Sequence, residues 1–386
     1  MSKVLVTAHL GRHFRIFGQS DYKVLLDKGY EVHIAANFQS EIDHFECSNI
    51  VKHQIDFDRN PFSMQNLKAL KQLKRLFEEE KFELIHCQSP SGGAITRLAA
   101  KETRKRGTKV IYTAHGLHFF QGAPKKNWIM YYNFEKFLGR YTDGIIAINE
   151  EDYKSSKEKL KIKNVHHVHG VGIDLNRFKN IPISEKLLLR KKHGFSEKSF
   201  ILIYVGELSY RKNQIMIIEA IAMLKDKIPN IKLLLIGTGI LREQYEKKSI
   251  ELGVEQFVEF LGYRNDISEL MALSDIGVST SRQEGLPVNV MEGMASGLPM
   301  VVTNCRGNRD LINDGENGYV VSLTSKSDLA DKIYNLYESN DNRKKFSKAN
   351  ENLILRYSLQ NIQCEMSKLY ESYIMKNGNF TTKDEK

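Results

Sequence analysis

Short apolar runs alternate with amphipathic stretches through the first half of the chain. The apolar runs predict strands at residues 4–8, 32–35, 84–87, 110–113 and 144–148. The stretches between them predict helices near residues 17–28, 64–80, 92–106, 126–140 and 150–160. Strands that are separated by helices favour right-handed βαβ units, in which a parallel sheet carries helices on both faces.

The same alternation begins again in the second half. Strands are predicted at residues 200–205, 232–236, 258–260, 276–280 and 300–303. Helices are predicted near residues 212–224, 240–252, 266–273, 286–296 and 326–338. Residues 170–185 show few periodic features and are typical of an interdomain linker. We therefore predict an α/β protein with two similar parallel-sheet domains, at 1–175 and 185–355, facing each other across a cleft, and a C-terminal helix and polar tail at 356–386.

The length of 386 residues fits two domains of ordinary size. Residues 1–9 lack the apolar core and cleavage site of a signal peptide, and no apolar run approaches the roughly 18 residues needed to cross a bilayer. The four cysteines are scattered, with neither metal-ligand nor disulfide-dense spacing. We therefore expect a cytoplasmic protein.

Positive charge is concentrated in the first half of the chain. Residues 1–180 carry 29 Lys and Arg against 20 Asp and Glu, whereas the remainder is nearly neutral. Two basic clusters lie on predicted helices: Lys68, Lys71, Lys74 and Arg75, and then Arg97, Lys101, Arg104, Lys105, Arg106 and Lys109. A basic helical face is usually only solvated, but it can also bind a membrane leaflet or nucleic acid. Without zinc spacing or an RNA-binding aromatic signature, nucleic acid is the weaker partner.

Two glutamates, Glu284 and Glu292, flank the start of a predicted helix that stops at Gly297 and Pro299. Pro287 suits the first helical turn, where its missing N–H costs no hydrogen bond. Glu292 then lies in the second turn and points back toward the helix N-terminus, whose free N–H groups favour an anion. Carboxylates can accept hydrogen bonds from sugar hydroxyls, and the helix N-terminus beside them can bind phosphate. Together they indicate a nucleotide-sugar pocket. The alternative is a surface helix with two unrelated glutamates.

Arg211 and Lys212 follow the predicted strand at 200–205 and precede a helix. Cations at such a strand-to-helix loop can hold a diphosphate and stabilise the charge that develops on a departing nucleotide. Adjacent surface cations are common, however, so this signal is weak by itself.

Two other loops contain candidate residues. Gly237 and Gly239 suggest a dinucleotide fingerprint, but its third small residue would be Arg242, so NAD and FAD are rejected and the glycines are assigned to a tight turn. His115 and His118 follow the predicted strand at 110–113, where a histidine could face the cleft or be incidental.

These motifs make the chain resemble the retaining glycosyltransferases of family 4, which have the GT-B fold of two Rossmann-like domains. Glu284 and Glu292 match the family's Glu-x7-Glu motif, residues 206–213 its strand-to-helix loop, and residues 262–265 its base-binding loop. Residues 113–128 and 306–310 are similar to a bacterial branch that assembles capsular or exopolysaccharide repeat units.

The resemblance implies a role for each matching residue. Glu292 would accept hydrogen bonds from ribose hydroxyls, and Glu284 would hold hydroxyls of the donor sugar. Lys212 would neutralise the diphosphate and His115 would lie beside the reacting sugar, so His115, Lys212 and Glu284 form the implied catalytic set. The other implied donor-binding residues are Gly11, Arg211, Tyr263, Arg264, Gly285 and Leu286. Many family members carry Arg at the position of Glu207, so a second diphosphate cation must come from Arg211 or elsewhere.

The resemblance also implies a reaction. A sugar would pass, with retention, from a UDP-hexose or UDP-N-acetylhexosamine to a lipid-diphosphate-linked saccharide in surface polysaccharide assembly, without a metal or other cofactor. The basic first half would attach peripherally to the anionic inner membrane leaflet. Two rivals stay open: a UDP-GlcNAc 2-epimerase-like isomerase of the same fold, and a non-catalytic protein that binds anionic surfaces. The donor sugar, acceptor, linkage and oligomeric state also stay open.

Overall fold

The computed structural model describes residues 2–40 and 44–374 and divides them into two compact units. Unit 2 is Ile173–Ser358, and unit 1 consists of the described residues on either side of it. The chain therefore leaves unit 1 once and returns to it with its last described helix. Among the described residues, no helix combines the length and apolar character needed to cross a membrane.

Unit 1 is built on a seven-stranded sheet in which all neighbouring strands are parallel. Its strands are β1 (Lys3–Leu10), β2 (Glu31–Asn37), β3 (Ile50–Gln54), β4 (Leu84–Gln88), β5 (Lys109–Ala114), β6 (Gly144–Ala147) and β7 (Asn164–His167). The order across the sheet is β3-β2-β1-β4-β5-β6-β7. The direction of winding reverses between β1 and β4, and ligands of such sheets bind outside the carboxyl ends of the strands at this point.

Helices connect these strands and cover both faces of the sheet. They are α1 (Arg12–Phe17), α2 (Tyr22–Asp27), α3 (Asn66–Glu79), α4 (Pro90–Ala99), α5 (Lys101–Lys105), α6 (Lys125–Asn127), α7 (Asn133–Leu138) and α8 (Glu150–Lys159). Successive side chains of one strand enter different cores: Leu84 packs on one face of the sheet and Ile85 on the other. This alternation explains why the central strands carry apolar residues on both faces of the sheet.

Unit 2 repeats the arrangement with six parallel strands. Its strands are β8 (Phe200–Val205), β9 (Ile231–Ile236), β10 (Val258–Gly262), β11 (Ile276–Ser279), β12 (Met300–Thr303) and β13 (Gly318–Val321), in the order β10-β9-β8-β11-β12-β13. Its helices are α9 (Ile183–Lys192), α10 (Ile215–Leu224), α11 (Arg242–Glu251), α12 (Ile267–Ala272), α13 (Val288–Ala295), α14 (Asn308–Leu311), α15 (Lys326–Glu338) and α16 (Asn340–Leu353). Here the winding reverses between β8 and β11.

The last described helix, α17 (Leu359–Tyr373), belongs to unit 1. Met366, Leu369 and Tyr370 are buried in the same core as Val4 and Ile34 of the central strands. Unit 1 thus contains a helix that the chain supplies only after unit 2 is complete. The polar tail predicted at the end of the 356–386 segment lies outside the described residues.

The predicted α/β class with two Rossmann-like parallel-sheet domains is confirmed. The prediction omits β3, β7 and β13, which are edge strands of their sheets. An edge strand is partly exposed and tolerates polar residues, so the Asn-Val-His-His sequence of β7 carries no apolar run. Helix α16 was also omitted, and α9 begins inside the stretch that the prediction assigned to the linker.

The Pro-Ser-Gly-Gly sequence at residues 90–93 is typical of a turn after β4, but these residues form the first turn of α4. Pro90 occupies the first helical position, which suits a residue without an N–H. The two glycines that suggested a turn serve close packing instead. A Cβ on Gly92 would lie 2.8 Å from the backbone nitrogen of His9, and one on Gly93 would lie 2.6 Å from the ring of Tyr112.

Candidate active site

The loops that leave β8 and β11 meet where the strand order of unit 2 reverses. Residues 206–213 follow β8, and residues 280–287 follow β11, its neighbour in the sheet. The two loops therefore share the edge of the sheet at which ligands bind in this class of fold.

The carboxylate of Glu284 lies between two cations of the β8 loop. Lys212 Nζ is 2.7 Å from Glu284 Oε1, and Arg211 Nη1 is 3.0 Å from Glu284 Oε2. Glu284 is only 6% exposed and Lys212 only 8%, whereas the Arg211 side chain is half-exposed. Burial alone would raise the pKa of Glu284, but the charges of Lys212 and Arg211 outweigh it and hold this pKa below its usual value. The site thus contains an ionised, buried carboxylate.

Hydrogen bonds from the side chains of Tyr204, Asn213 and Arg282 fix the β8 loop beneath this cluster. Tyr204 donates from Oη to the carbonyl of Lys212 at 2.5 Å. Asn213 has a positive φ of 55°, and its amide donates to the carbonyl of Thr280 at 3.1 Å. Arg282 Nη2 donates to the Asn213 side-chain oxygen at 2.6 Å. These bonds tie the two loops together, so the position of Lys212 is set by the fold as well as by its ion pair.

The loop after β12 holds the other side of Glu284. Arg306 donates from Nε to the Glu284 carbonyl at 2.9 Å. Gly307 has a φ of +80°, and a Cβ there would lie 2.4 Å from the carbonyl oxygen of Gly285. Only glycine allows this approach at this backbone conformation. Both residues belong to the 306–310 motif of the sequence, but their contact with Glu284 and Gly285 could not be read from it.

Helix α13 follows directly and contains Glu292. Pro287 occupies the N-cap position rather than the first helical turn, and the helix begins at the next residue. It ends at Ala295, two residues before the predicted stop at Gly297, whose φ of +73° accompanies a hydrogen bond from its N–H to the Met294 carbonyl. Leu286, just before the helix, is buried.

Glu292 differs from Glu284 in its electrostatics. Burial raises the pKa of Glu292 to about 7, although the charges of Arg177 and Lys212 act in the opposite direction. Within the described parts of the chain, its carboxylate accepts no hydrogen bond. Near neutral pH it is therefore only partly ionised and can accept hydrogen bonds from a bound ligand.

Tyr263 and Arg264 follow β10 at the same edge of the sheet. The side chain of Tyr263 is 72% exposed. Arg264 forms two hydrogen bonds with Asp266, the first from Nε at 2.8 Å. The Gly262 carbonyl accepts from the N–H of Gly237 at 2.8 Å, so the loops after β9 and β10 are joined.

The glycines of the 237–239 motif permit two loops to approach each other. A Cβ on Gly237 would lie 2.2 Å from the carbonyl oxygen of Gly206, and one on Gly239 would lie 2.2 Å from that of Leu208. The motif therefore supports the packing of the β9 loop on the β8 loop, which carries Lys212.

In unit 1 the predicted residues lie at the equivalent edge. Gly11 follows β1 at the N-cap of α1, and its N–H donates to the Asn37 carbonyl at 2.9 Å. His115 follows β5, and its Nε2 lies 2.7 Å from Oε1 of Gln88, the last residue of β4. Burial lowers the pKa of His115 to about 4, so the ring is neutral. His118 instead stacks on Tyr131, with ring centroids 4.6 Å apart.

The predicted basic face at residues 97–109 is wrong in its composition. Arg97 is fully buried and forms two hydrogen bonds with the Glu135 carboxylate, at 2.8 and 3.0 Å. Arg104 is bonded to Asp143 in the same way, at 2.7 and 3.0 Å. These guanidinium groups are therefore neutralised within unit 1.

One group of side chains has the atoms of a metal site. Nitrogen and oxygen atoms of His193, Asp266 and Glu269 lie within 4.8 Å of one another. Both carboxylates already have cationic partners, because Arg264 bonds to Asp266 and Lys192 bonds to Glu269 at 2.6 Å. The group is thus a surface ion-pair network, and it carries no argument for a metal.

Two Rossmann-like sheets in tandem, one of which holds a buried, ion-paired glutamate at its topological switch point, define a two-domain protein of the GT-B class. Comparisons with known proteins agree. Residues 185–353 match the family model described as "Glycosyl transferases group 1", and residues 6–149 match "Glycosyl transferase 4-like".

Individual proteins are also similar over long stretches. The chain is 40% identical to the "Putative glycosyltransferase EpsD" of Bacillus subtilis (strain 168), over 96% of this chain and 97% of that protein. It is 29% identical to the Escherichia coli "UDP-Gal:alpha-D-GlcNAc-diphosphoundecaprenol alpha-1,3-galactosyltransferase", over 69% of each. Among solved structures, Anabaena Alr3699/HepE in complex with UDP-glucose superimposes with a TM-score of 0.76 at 20% identity, covering 96% of this chain and 100% of that one.

The chain therefore belongs to the glycosyltransferases with the GT-B fold, in the branch that resembles bacterial polysaccharide-assembly enzymes. Its expected character as an enzyme, a glycosyltransferase, is confirmed.

Proposed function

We propose that this glycosyltransferase moves a hexose or N-acetylhexosamine from a UDP-sugar to a lipid-diphosphate-linked saccharide, with retention at the anomeric carbon. The observation that carries the proposal is the buried Glu284 carboxylate between Lys212 and Arg211. A buried charged cluster at a ligand-binding edge suits a ligand that carries both hydroxyl groups and negative charge.

Each residue is assigned to a part of the UDP-sugar according to the hydrogen bonds and charge that it still has available. The Lys212 ammonium has three donors, and its ion pair with Glu284 leaves others for the diphosphate. Arg211, half-exposed on the other carboxylate oxygen, supplies the second cation in place of the arginine that is missing at Glu207. Glu284 accepts hydrogen bonds from hydroxyls of the sugar, and Glu292 from those of the ribose.

The remaining contacts are assigned to backbone and surface groups. The N–H groups of Gly285 and Leu286 face phosphate or sugar, and Gly11 allows the diphosphate to approach unit 1. Tyr263 and Arg264 contact the base, which we assign as uracil.

Transfer requires one bond to form and one to break at the anomeric carbon. The acceptor hydroxyl attacks from the face that the diphosphate leaves, the bond between sugar and diphosphate breaks, and a phosphate oxygen takes the hydroxyl proton. Lys212 and Arg211 stabilise the charge on the departing UDP, which is the electrostatic role that usually dominates such catalysis. His115 lies beside the reacting sugar as a neutral hydrogen-bonding group.

Relatives support the choice of substrates. The name of the Escherichia coli enzyme gives UDP-Gal as donor and a diphosphoundecaprenol-linked sugar as acceptor. HepE, the Anabaena protein with a similar fold, was solved with UDP-glucose.

We also propose a peripheral membrane face, which keeps two lysines of the first predicted basic cluster and leaves out the second cluster. Exposed apolar side chains next to exposed lysines occur at the start of α3 and around α6, as is typical of surfaces that bind anionic bilayers. This apolar-basic face consists of Phe62, Met64, Leu67, Lys71, Lys74, Lys125, Lys126, Ile129 and Met130. Phe62 lies near the second part, because its ring is 6.1 Å from that of Tyr131, which follows Met130 in the chain.

The decisive assay supplies UDP-, GDP- and ADP-sugars together with a synthetic lipid-diphosphate-linked N-acetylhexosamine. We expect release of UDP and an extended lipid-linked product, whose anomeric configuration matches that of the donor when measured by NMR. Conversion of the UDP-sugar to its epimer without the lipid would instead establish the isomerase, and no consumption of any donor would refute both.

A further inference from the structure

One glutamine side chain joins two histidines at the ligand-binding edge of unit 1. Gln88 Oε1 lies 2.6 Å from Nε2 of His13 and 2.7 Å from Nε2 of His115. The two imidazole rings meet edge to face, with centroids 5.1 Å apart. Gln88 ends β4, and His13 lies just after Gly11, so the group occupies the point where the strand order of unit 1 reverses.

A buried aspartate orients the Gln88 amide. Asp21 Oδ2 accepts a short hydrogen bond from Gln88 Nε2, and both side chains are nearly inaccessible to solvent. An ionised carboxylate only accepts hydrogen bonds, so the amide nitrogen must face Asp21 and the amide oxygen must face the histidines. An amide oxygen also only accepts. Nε2 of His13 and Nε2 of His115 must therefore both carry a proton.

The same aspartate continues the network to the C-terminal helix. Tyr370 of α17 donates from Oη to Asp21 Oδ1 at 3.2 Å. His86 Nδ1 lies 2.8 Å from that hydroxyl oxygen, and His86 Nε2 lies 2.7 Å from Oγ1 of Thr113. When Asp21 is ionised, each donor in this series of hydrogen bonds can point toward the Asp21 carboxylate. All three histidines are then neutral.

The protonation states agree with this arrangement. Burial lowers the pKa of His13 to about 3 and that of His115 to about 4, so neither ring is a cation at neutral pH. Burial raises the pKa of Asp21 to about 7 even though the hydrogen bonds from Gln88 and Tyr370 favour the ionised form, so the arrangement with an ionised Asp21 applies above about pH 7.

We propose that Gln88 and Asp21 are positioning residues that hold His13 and His115 in the Nε2–H tautomer and leave each Nδ1 as a hydrogen-bond acceptor for a substrate hydroxyl. Neither Nδ1 contacts a hydrogen-bond partner within residues 2–40 and 44–374. An acceptor hydroxyl or a donor-sugar hydroxyl is the class of group that such a nitrogen binds. The inference rests on the proposed glycosyl transfer for its substrate, but the tautomers can be measured without it.

A purely structural role is the alternative. The network also ties α17 to the sheet, and its loss could merely weaken unit 1. The test must therefore include a signal that changes only when the histidine tautomers change.

The experiment uses the full chain labelled with ¹⁵N in histidine. Long-range proton–nitrogen NMR spectra distinguish a protonated ring nitrogen from a bare one, and the variants His13→Gln and His115→Gln assign the signals. In the unmodified protein we expect Nε2 protonated and Nδ1 bare in both rings. Protonated Nδ1 in either ring would overturn the proposal, whether or not the protein transfers sugar.

Two variants then test the control of the tautomer. Gln88→Met removes the amide, and Asp21→Asn keeps the shape but removes the carboxylate that orients it. We expect both to give mixed tautomers and to lower kcat for sugar transfer by about 100-fold, because the reacting groups are no longer aligned. The affinity for UDP, whose contacts are assigned mainly to unit 2, should not change.

Gln72→Met provides the matched control. Gln72 is also hydrogen-bonded to an aspartate. Its Nε2 donates to the Asp56 carboxylate at 3.2 Å, and its Oε1 accepts from the Asp56 backbone N–H at 2.9 Å. No histidine takes part in these two bonds. The control variant should leave tautomers and kcat unchanged. If Gln88→Met and Asp21→Asn fold but keep uniform tautomers, or lower activity only by lowering stability, the positioning role is refuted.

Discussion

Lys212 Nζ lies 2.7 Å from Oε1 of Glu284, and both residues are more than nine-tenths buried. A buried pair of this kind costs desolvation on both sides, so it is weak evidence for stability by itself. The pair lies at the switch point of unit 2, and each partner can form further hydrogen bonds. Ligand binding explains this position better than stability does.

Replacing Lys212 with Ala should lower kcat for transfer by about 100-fold or more, the range seen when one electrostatic stabiliser of a transition state is removed. Arg211 still pairs with Glu284, so the melting temperature should fall little. Lys248→Ala, which removes a partly exposed lysine that pairs with Glu251 on α11, is the control. Equal kinetics for both variants would remove Lys212 from the mechanism.

Arg211→Ala should have a smaller effect, about tenfold, because the half-exposed guanidinium acts through water as well as directly. If Arg211 replaces a cation that relatives carry at position 207, then adding Glu207→Arg to this variant should recover activity. Steady-state transfer kinetics of the single and double variants measure this. No recovery would mean that Arg211 only stabilises Glu284.

Gly307→Ala should destabilise unit 2 and disturb the loop that carries Glu284. The new Cβ would collide with the Gly285 carbonyl, and the positive φ adds strain of its own. Gly315→Ala is a matched control, since Gly315 has a φ of +74° but nothing within 4 Å of its Cβ position. We expect the control to lose about 1 kcal/mol from backbone strain and Gly307→Ala to lose more, in thermal or denaturant unfolding. Equal losses would show that the approach to Gly285 is unimportant.

Glu292→Gln should change the pH dependence of stability. Because burial raises the folded-state pKa of Glu292 to about 7, well above the value of a free carboxyl group, its ionisation opposes folding as the pH rises between these values. The variant lacks this penalty. Without ligand, above pH 7, the variant should therefore melt at a higher temperature than the parent protein, and its free energy of unfolding should be larger by up to about 3 kcal/mol. Near pH 4 the two proteins should differ little. A difference that is independent of pH would contradict this assignment.

Charge reversal of Lys71 and Lys74 with Met64→Ser should release the protein from vesicles that contain anionic lipid, because it removes part of the apolar-basic face. Reversal of Lys101 and Lys105, in the basic cluster predicted from the sequence, is the comparison. Vesicle sedimentation at low and high salt measures both. If only the second set releases the protein, the membrane face lies at the second predicted cluster, residues 97–109.

The sequence was sufficient for the architecture, because buried parallel strands leave continuous apolar runs between helices. It was insufficient at the sheet edges, where β3 and β7 are partly exposed and polar. The Arg97 error has a related cause. Its partner, Glu135, lies 38 residues away, and periodicity on one helix cannot show that a basic side chain points inward.

The candidate site shows the same division. Arg211, Lys212 and Glu284 were selected from strand-to-helix loops, and the structure brings these three together; their roles stay predictions. Gln88 and Asp21 carried no signal in the sequence, because their significance depends on hydrogen bonds between β4, α2 and α17. Nor could the sequence show that Gly307 lies against Gly285, although both belong to motifs of the predicted site.

The central claim is that a nucleotide-sugar binds unit 2 at the Glu284 cluster, and a crystal structure of the protein soaked with UDP and the preferred UDP-sugar tests it most directly. We predict the diphosphate within hydrogen-bonding distance of Lys212 Nζ and the ribose hydroxyls on the Glu292 carboxylate. A nucleotide bound elsewhere, with Lys212, Glu284 and Glu292 left unliganded, would contradict the account.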